Sequence, residues 1–356
     1  MPYYYKLKTR ETDKKEVSDS KKRTITNLKK LRDYIHTNIP KSKLDENLLL
    51  ATWNIREFDS GTYGMRLDES FYYIAEIIAA FDLVALQEVH KDLTGLERLM
   101  RILGGDWSYV ISDATEGDRG NDERIAYVYN NRKVHFGGLA GELVLPDAKE
   151  VITDPDNPDK KKTIYKPISQ LWRTPMICGF KAGWAKFMLC NVHIQWGESE
   201  LSRKKEIDHI ANFIKKRTED ETAWARKLIL LGDFNISDTN SDSYKMLKEA
   251  DYECPDSHLN VTTTVGKTKS QYDRIFVRER KDGIKIEKGG TIPLFDLVFT
   301  ETDEATYTDL MKTKAGKKAK SYKNWRTHQL SDHQPLWVEF KIDYADEYLE
   351  NLNKPS

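Results

Sequence analysis

Gly232-Asp233-Phe234-Asn235 and Ser331-Asp332-His333 are the stretches on which the reading of this chain turns. Each lies at the end of a strand-like apolar run and places carboxylates, an amide and an imidazole there. Oxygen donors of this kind suit a hard divalent cation such as Mg²⁺. A nearby imidazole suits the proton transfers that cleavage of a phosphodiester requires. Either stretch alone reads as an ordinary turn, because Asp and Asn are common turn formers after a strand. The reading therefore depends on how many such strand ends the chain carries.

Outward from these stretches, short apolar runs alternate with helical periodicity from residue 48 onward. Leu48–Trp53 reads as a buried strand ending at Asn54, and Leu83–Leu86 as one ending at Gln87-Glu88. Between them Phe71, Ile74, Ile77 and Ile78 recur at helical spacing, as do Leu93, Leu96, Leu99 and Leu103 before the strand Trp107–Ile111. Ile125–Tyr129, Met176–Phe180, Ala185–Val192, Leu228–Leu231, Arg274–Val277 and Leu336–Phe340 complete the predicted strands, with a charged helix over about Glu200–Lys216. Strand runs mixed with βα alternation predict an α+β fold of stacked sheets with outer helices. Six strand ends are polar: Asn54, Glu88, His193, Asp233 with Asn235, Asp273, and Asp332 with His333. Singly, Glu88 could cap a helix and His193 could be a satisfied buried histidine. Meeting on one edge of packed sheets, the six would share one pocket.

Composition sets the bounds. The 356 residues allow one large domain or two small ones. Lys+Arg and Asp+Glu balance at 57 each, so net charge says nothing about an acidic partner and any nucleic-acid surface must be a local patch. The chain is 39% apolar, enough to fold, yet no apolar stretch approaches a membrane span. Its beginning, Met1-Pro2-Tyr3-Tyr4-Tyr5-Lys6, lacks the apolar core of a signal peptide. Cys178, Cys190 and Cys254 read as buried inert thiols, which fits a reducing, cytoplasmic setting. Residues 1–46 read as an extension with one amphipathic helix through Ile25, Leu28, Leu31 and Ile35, closed by Pro40. Residues 47–341 form the body, and 342–356 a charged, frayed tail. Two insertions interrupt the body: a loop at 146–167, and 300–329, acidic at first and then basic at Lys312, Lys314, Lys317, Lys318, Lys320, Lys323 and Arg326. With Tyr322 and Trp325 inside it, the second is expected to be either a solvated loop or a clamp on a phosphate backbone.

The stretches Thr52-Trp53-Asn54-Ile55-Arg56, Leu86-Gln87-Glu88-Val89, Asn191-Val192-His193, Gly232-Asp233-Phe234-Asn235, Tyr272-Asp273-Arg274-Ile275 and Ser331-Asp332-His333 follow one another over the body. In kind and order they resemble the motifs of the endonuclease/exonuclease/phosphatase superfamily, and most of all its deoxyribonuclease I-like branch. Glu123-Arg124 and Trp172-Arg173-Thr174-Pro175, each before a strand, add to the likeness. The resemblance implies a four-layered α/β/β/α sandwich with the site at one edge of two packed mixed sheets. It implies Glu88 as principal metal carboxylate, with Asn54 and Asp332 completing or orienting that side, and Mg²⁺ as the cation, for which Mn²⁺ can substitute. Asp233 and Asn235 would hold the attacking water, a second metal or the scissile phosphate. His333 would pair with Asp273 and His193 with Glu123, each carboxylate fixing its imidazole's tautomer. Arg173 would meet a substrate phosphate, and Asn235 would share that task. One departure stands out: where deoxyribonuclease I has a groove-reading arginine two positions past its metal Glu, this chain has His90.

The expected function is metal-dependent phosphodiester hydrolysis by in-line attack of water, with DNA as partner and no membrane. The alternative is a phosphoesterase of the same fold acting on an inositol phosphate, a phospholipid headgroup or a nucleotide. Abasic-site endonucleases form a further class, and an inactive binding protein on this fold a third reading. Inactive members lose a metal carboxylate or a histidine, and this chain has them all.

Overall fold

The computed structural model of the chain describes residues 1–353 apart from 62–63, 116–121, 155–156, 169, 198, 267–268, 279–284, 313–318 and 320. In chain order its strands are β1 (Asn47–Phe58), β2 (Leu83–His90), β3 (Trp107–Ile111), β4 (Glu123–Asn130), β5 (His135–Glu142), β6 (Ala148–Asp154), β7 (Asn157–Lys166), β8 (Met176–Ala182), β9 (Ala185–His193), β10 (Leu228–Asp233), β11 (Tyr252–Glu253), β12 (Asp273–Arg278), β13 (Lys285–Thr291) and β14 (Leu336–Lys341). The helices are α1 (Lys15–Asn38), α2 (Asp68–Ile78), α3 (Thr94–Leu103), α4 (Glu200–Glu219), α5 (Asp242–Glu249), α6 (Leu294–Leu297), α7 (Glu304–Tyr307), α8 (Tyr322–Gln329) and α9 (Ala345–Leu352).

Successive side chains of a strand face opposite sides of its sheet, and here both sides are dry. In β1, Leu48 and Leu50 enter one apolar cluster while Leu49, Ala51, Trp53 and Ile55 enter another. In β9, Phe187 and Leu189 share the cluster of Leu48, whereas Met188, Cys190 and Val192 enter a third. Those three clusters are the interfaces of four layers. The first lies between α1, α2, α3, α8 and a sheet ordered β13-β14-β1-β2-β4-β3. The second lies between that sheet and one ordered β11-β12-β10-β9-β8-β5, and the third between this second sheet and α4 and α5. The chain is therefore the α/β/β/α sandwich expected from its sequence, and Cys178, Cys190 and Cys254 are buried free thiols. No described helix is long and apolar enough to cross a membrane.

Several segments differ from the sequence reading. Edge strands β5 and β13 escape it because glycines and charges mask their alternation. At Gly137 of β5 a Cβ would lie 2.2 Å from Trp224 Cζ2, so the indole lies directly on the backbone there. The insertion at 146–167 is an exposed hairpin, β6 on β7, apart from both main sheets. Among the described residues of 300–329, Glu301–Tyr307 and Tyr322–Gln329 are helical rather than loop. Tyr322 and Trp325 are 3% and 2% exposed, packed with Phe299 and Tyr307, so these rings have no free face for a nucleobase. Lys314, Lys317, Lys318 and Lys320 lie outside the described residues. Of the rest, Lys323 lies 3.0 Å from Glu301, and the Arg326 guanidinium covers the Phe295 ring. The tail forms α9, whose Tyr348 packs on Trp184.

The N-terminal helix buries Leu28, Leu31 and Ile35, whereas Ile25, expected on the same face, is exposed. Charges fasten it as well. Arg23 and Arg32 each approach a carboxylate of α2, Glu69 and Glu76, to 2.6 Å. Glu69 also accepts the hydroxyls of Tyr73 (2.9 Å) and Tyr307 (3.0 Å).

His258 is wedged beside β13 and β14. Its Nε2–H donates to Trp337 O at 2.8 Å, and a Cβ on Gly289 would lie 2.5 Å from that nitrogen. Burial, helped by the nearby Arg274 charge, brings its pKa down to about 4, against 6.5 for a free imidazole. The unfolded chain therefore binds the extra proton between those limits. Its contribution to stability is present above about pH 6.5 and is lost as pH falls toward 4, by about 1 kcal/mol per pH unit. Urea melts at pH 7 and pH 5 should show this loss in the parent and a shallower one in His258→Gln. An equal slope in both would place the titration elsewhere.

Candidate active site

Strand register assembles the site. β9 and β12 flank β10, and their pairing sets His193 beside Asp233 and Asp233 beside Asp273 in one row. In the other sheet Asn54 of β1 pairs with Gln87 of β2. Beyond that pair both strands leave regular register, between Asn54 and Phe58 and between Leu86 and Val89. Arg56, Glu57 and Glu88 take left-handed backbone there, with φ of 41°, 42° and 60°. Such conformations cost about 1–3 kcal/mol each for a residue with a side chain. They are held by what surrounds them, and the irregularity re-aims side chains at the strand end.

What holds them is a set of buried donors. Glu88 accepts Asn54 Nδ2 at 2.8 Å on Oε1 and Glu57 N at 2.8 Å on Oε2. Arg66, 6% exposed, donates from Nη2 to the carbonyls of Ile55 and Arg56, each at 2.8 Å, and to Leu330 O at 3.3 Å. Burial draws the Arg66 pKa down to about 10. Ser331 Oγ donates to Asn54 O at 2.6 Å and accepts His333 N at 3.0 Å, and Trp53 Nε1 donates to His333 O at 2.9 Å. The 331–333 stretch is thus stitched to β1. Across the sheets, Asn54 Nδ2 also reaches Asp233 Oδ2 at 3.1 Å, and Gln87 Nε2 donates to Asn191 Oδ1 at 2.6 Å.

The ionisable groups form a row of alternating type. Glu123 Oε2 lies 2.9 Å from His193 Nδ1, and His193 Nε2 lies 3.7 Å from Asp233 Oδ2. The same Asp233 oxygen is 3.8 Å from His333 Nε2, and His333 Nδ1 is 2.7 Å from Asp273 Oδ2. Each imidazole therefore stands between two carboxylates. Burial disfavours charge on His333, but Asp273 and Asp233 outweigh it and hold its pKa well above the ordinary value. His193 is raised by the same balance, with burial offset mainly by Glu123. Burial also works against the Glu123 charge, yet His193 and Arg173 bring its pKa down to about 2. Glu88 goes the other way, pushed up by burial and by Glu123 and Asp332 against the pull of His193.

The structure brings Asn54, Glu88, Glu123, His193, Asp233, Asp273 and His333 together. Asp332 is half-exposed, 3.3 Å from Arg56 Nη1. Arg173 reaches the group through Glu123, donating from Nε at 2.7 Å. Asn235, with φ of 51°, donates its backbone N–H to Asp233 Oδ1 (3.0 Å) and its amide to Ile194 O (2.8 Å). Gln87, Asn191 and Ser331 stand inside motifs visible in the sequence, but their supporting contacts are not. Arg66 has no sequence signal at all.

The donor set fits a hard cation, since it is built of carboxylate oxygens with imidazoles beside them. Two such groups, Glu88–Glu123–His193 and Asp233–Asp273–His333, each have ligand atoms within 4.8 Å of one another. The crowded, upward-shifted Glu88 is the carboxylate that a bound cation would relieve.

A model of the Endonuclease/Exonuclease/phosphatase family matches residues 51–333, from β1 through the His333 loop. The chain belongs to that family. Solved structures of the same fold include a mannosyl-6-phosphatase from Bacteroides thetaiotaomicron, 20% identical, with a TM-score of 0.52 over 82% of this chain and 99% of that one. The TDP2 protein of D. rerio, complexed with a single-strand DNA product, is 15% identical, with a TM-score of 0.51 over 83% and 99%. ANGEL2, a 2′,3′-cyclic phosphatase, is 14% identical, with a TM-score of 0.53 over 86% and 99%. No curated protein matches the chain in sequence. Members of the family are phosphoester hydrolases, and this chain carries the family fold with an acidic and imidazole cluster suited to a divalent metal.

The role of Arg66 in this family member is open to measurement. Arg66→Met leaves the carbonyls of Ile55, Arg56 and Leu330 without their buried donor, and should cost about 2–3 kcal/mol in urea unfolding. Arg66→Lys should recover only part of that, because an ammonium lacks the guanidinium fork.

Proposed function

We propose that the protein is a metal-dependent phosphodiesterase that hydrolyses DNA by in-line attack of water. The observation that carries this reading is the symmetric row Glu123–His193–Asp233–His333–Asp273, with both Nε2 atoms turned toward one carboxylate oxygen. An in-line displacement needs proton transfer on opposite sides of phosphorus, and two imidazoles flanking a central site can serve the two sides. Glu123 and Asp273 hold the Nδ1 atoms, so proton exchange with water or the leaving oxygen is left to Nε2. Asp233 stands where it can orient the attacking water between the two rings. Asn235 braces Asp233 through its backbone N–H, and Asn54 orients Glu88 through its amide.

Glu88 with Asp332 would hold the divalent cation, Mg²⁺ with Mn²⁺ as substitute. Bound there, it supplies Lewis-acid charge for the phosphoryl oxygens. The preference for DNA is supported by the deoxyribonuclease-like spelling Tyr272-Asp273-Arg274-Ile275 and by Arg173 at the edge of the site. A phosphoesterase for a smaller substrate is the second reading. What favours it is that Arg173 is engaged by Glu123.

A gel assay with Mg²⁺ on supercoiled plasmid, linear duplex, single-stranded DNA and RNA separates these readings. Cutting of DNA, silenced by EDTA and restored by Mg²⁺ or Mn²⁺, is the expected result. Glu88→Gln and His193→Ala should each lower the rate at least a hundredfold while thermal unfolding still shows a cooperative transition. Intact DNA beside phosphate release from a small phosphoester would favour the second reading.

A further inference from the structure

Trp196 is 67% exposed in a chain whose other large aromatic side chains mostly line the three cores. It stands three residues beyond His193, on the segment that leads from β9 to α4. A large exposed apolar surface on a loose loop would need no explanation. The two residues before the indole are fastened. On one side of the indole, Ile194 N donates to Asp233 O at 2.8 Å, and Ile194 O accepts the Asn235 amide. Gln195 is 3% exposed. Its N–H donates to Glu206 Oε2 at 3.1 Å and its amide to Ser202 Oγ at 2.6 Å.

Glu206, buried on α4, also accepts Trp172 N at 3.3 Å, the residue before Arg173. One carboxylate therefore fastens both the segment presenting Trp196 and the segment presenting Arg173. The backbone is fixed on the strand ends that hold Asp233 and Asn235, while the indole is left to solvent.

From this juxtaposition we infer that Trp196 is a specificity-determining residue, a stacking surface for a nucleobase next to the scissile phosphate. The inference rests on the nuclease reading. It adds that the enzyme engages its substrate through base as well as phosphate. Nucleobases offer a π-face whatever their identity, so the contact is tolerant of sequence and selects for nucleotides over sugar or inositol phosphates. The Tyr272 ring lies 6.4 Å from that of His333, so one of the two imidazoles already has aromatic surface beside it.

The test compares the parent enzyme, Trp196→Ala and Trp196→Phe on an end-labelled oligonucleotide and on an oligomer of the same length whose central nucleotides are baseless deoxyribose spacers. Trp196→Ala should raise KM for the normal oligonucleotide about tenfold or more with kcat little changed. Trp196→Phe should stay close to the parent, and the spacer oligomer should be cut with the same KM by all three. Equal KM values for the parent and Trp196→Ala on the normal oligonucleotide, or equal losses on both substrates, would overturn the stacking role. If the parent cuts no oligonucleotide, the nuclease reading fails, and this inference falls with it.

Discussion

Every interior strand of this protein is covered on both faces, and that constraint governs where charge can sit. A carboxylate midway along β1, β9 or β10 would be enclosed by one of three apolar clusters. Polar side chains inside the sheets bond across them, as Gln87 Nε2 does to Thr52 Oγ1 and Asn191 Oδ1. Ionisable side chains therefore collect where strands stop. Strand direction then selects one edge. β1, β2, β9 and β10 carry their polar residues at or near their ends, whereas Glu123 and Asp273 open β4 and β12, and Asp332-His333 precedes β14. The latter three strands run antiparallel to their neighbours, so starts and ends coincide in space.

The same constraint makes the edge electrostatically demanding. Charge there is only partly hydrated, and each group needs an opposite neighbour. Alternating carboxylates and imidazoles meet that need without a cation in the row. Glu88 lies to one side with amide donors and crowded acids around it, and burial together with those acids pushes its pKa up. The division is useful chemically. In the proposed reaction the imidazoles of the row exchange protons, while the Glu88 side would hold the metal.

Much of this was legible in the sequence, because burial on both faces writes itself as short apolar runs and the active edge as polar punctuation between them. The His–carboxylate pairs follow from motif order alone, by resemblance. The misreadings have physical causes. Tyr322 and Trp325 stand three apart in a lysine-rich stretch; composition suggested either a solvated loop or a phosphate-backbone clamp, but that spacing puts both rings on one helical face, and the face is buried. β5 and β13 lack alternation because partners press directly on their glycines. Arg66, Gln87, Asn191 and Glu206 act through contacts between segments far apart in the chain, which no local pattern records.

The arginines of α1 have a consequence for the order in which the molecule can be completed. Glu69 gathers Arg23, Tyr73 and Tyr307, so its surroundings draw on the first quarter and the last fifth of the polypeptide. During synthesis α1 leaves the ribosome before its partners exist, and the pocket around Glu69 closes only once residue 307 has followed. Contacts of such long sequence separation form late, because the intervening chain must first be ordered. The surroundings of Glu69 are thus complete only when segments 238 residues apart have met, and α1 is fastened through the same carboxylate.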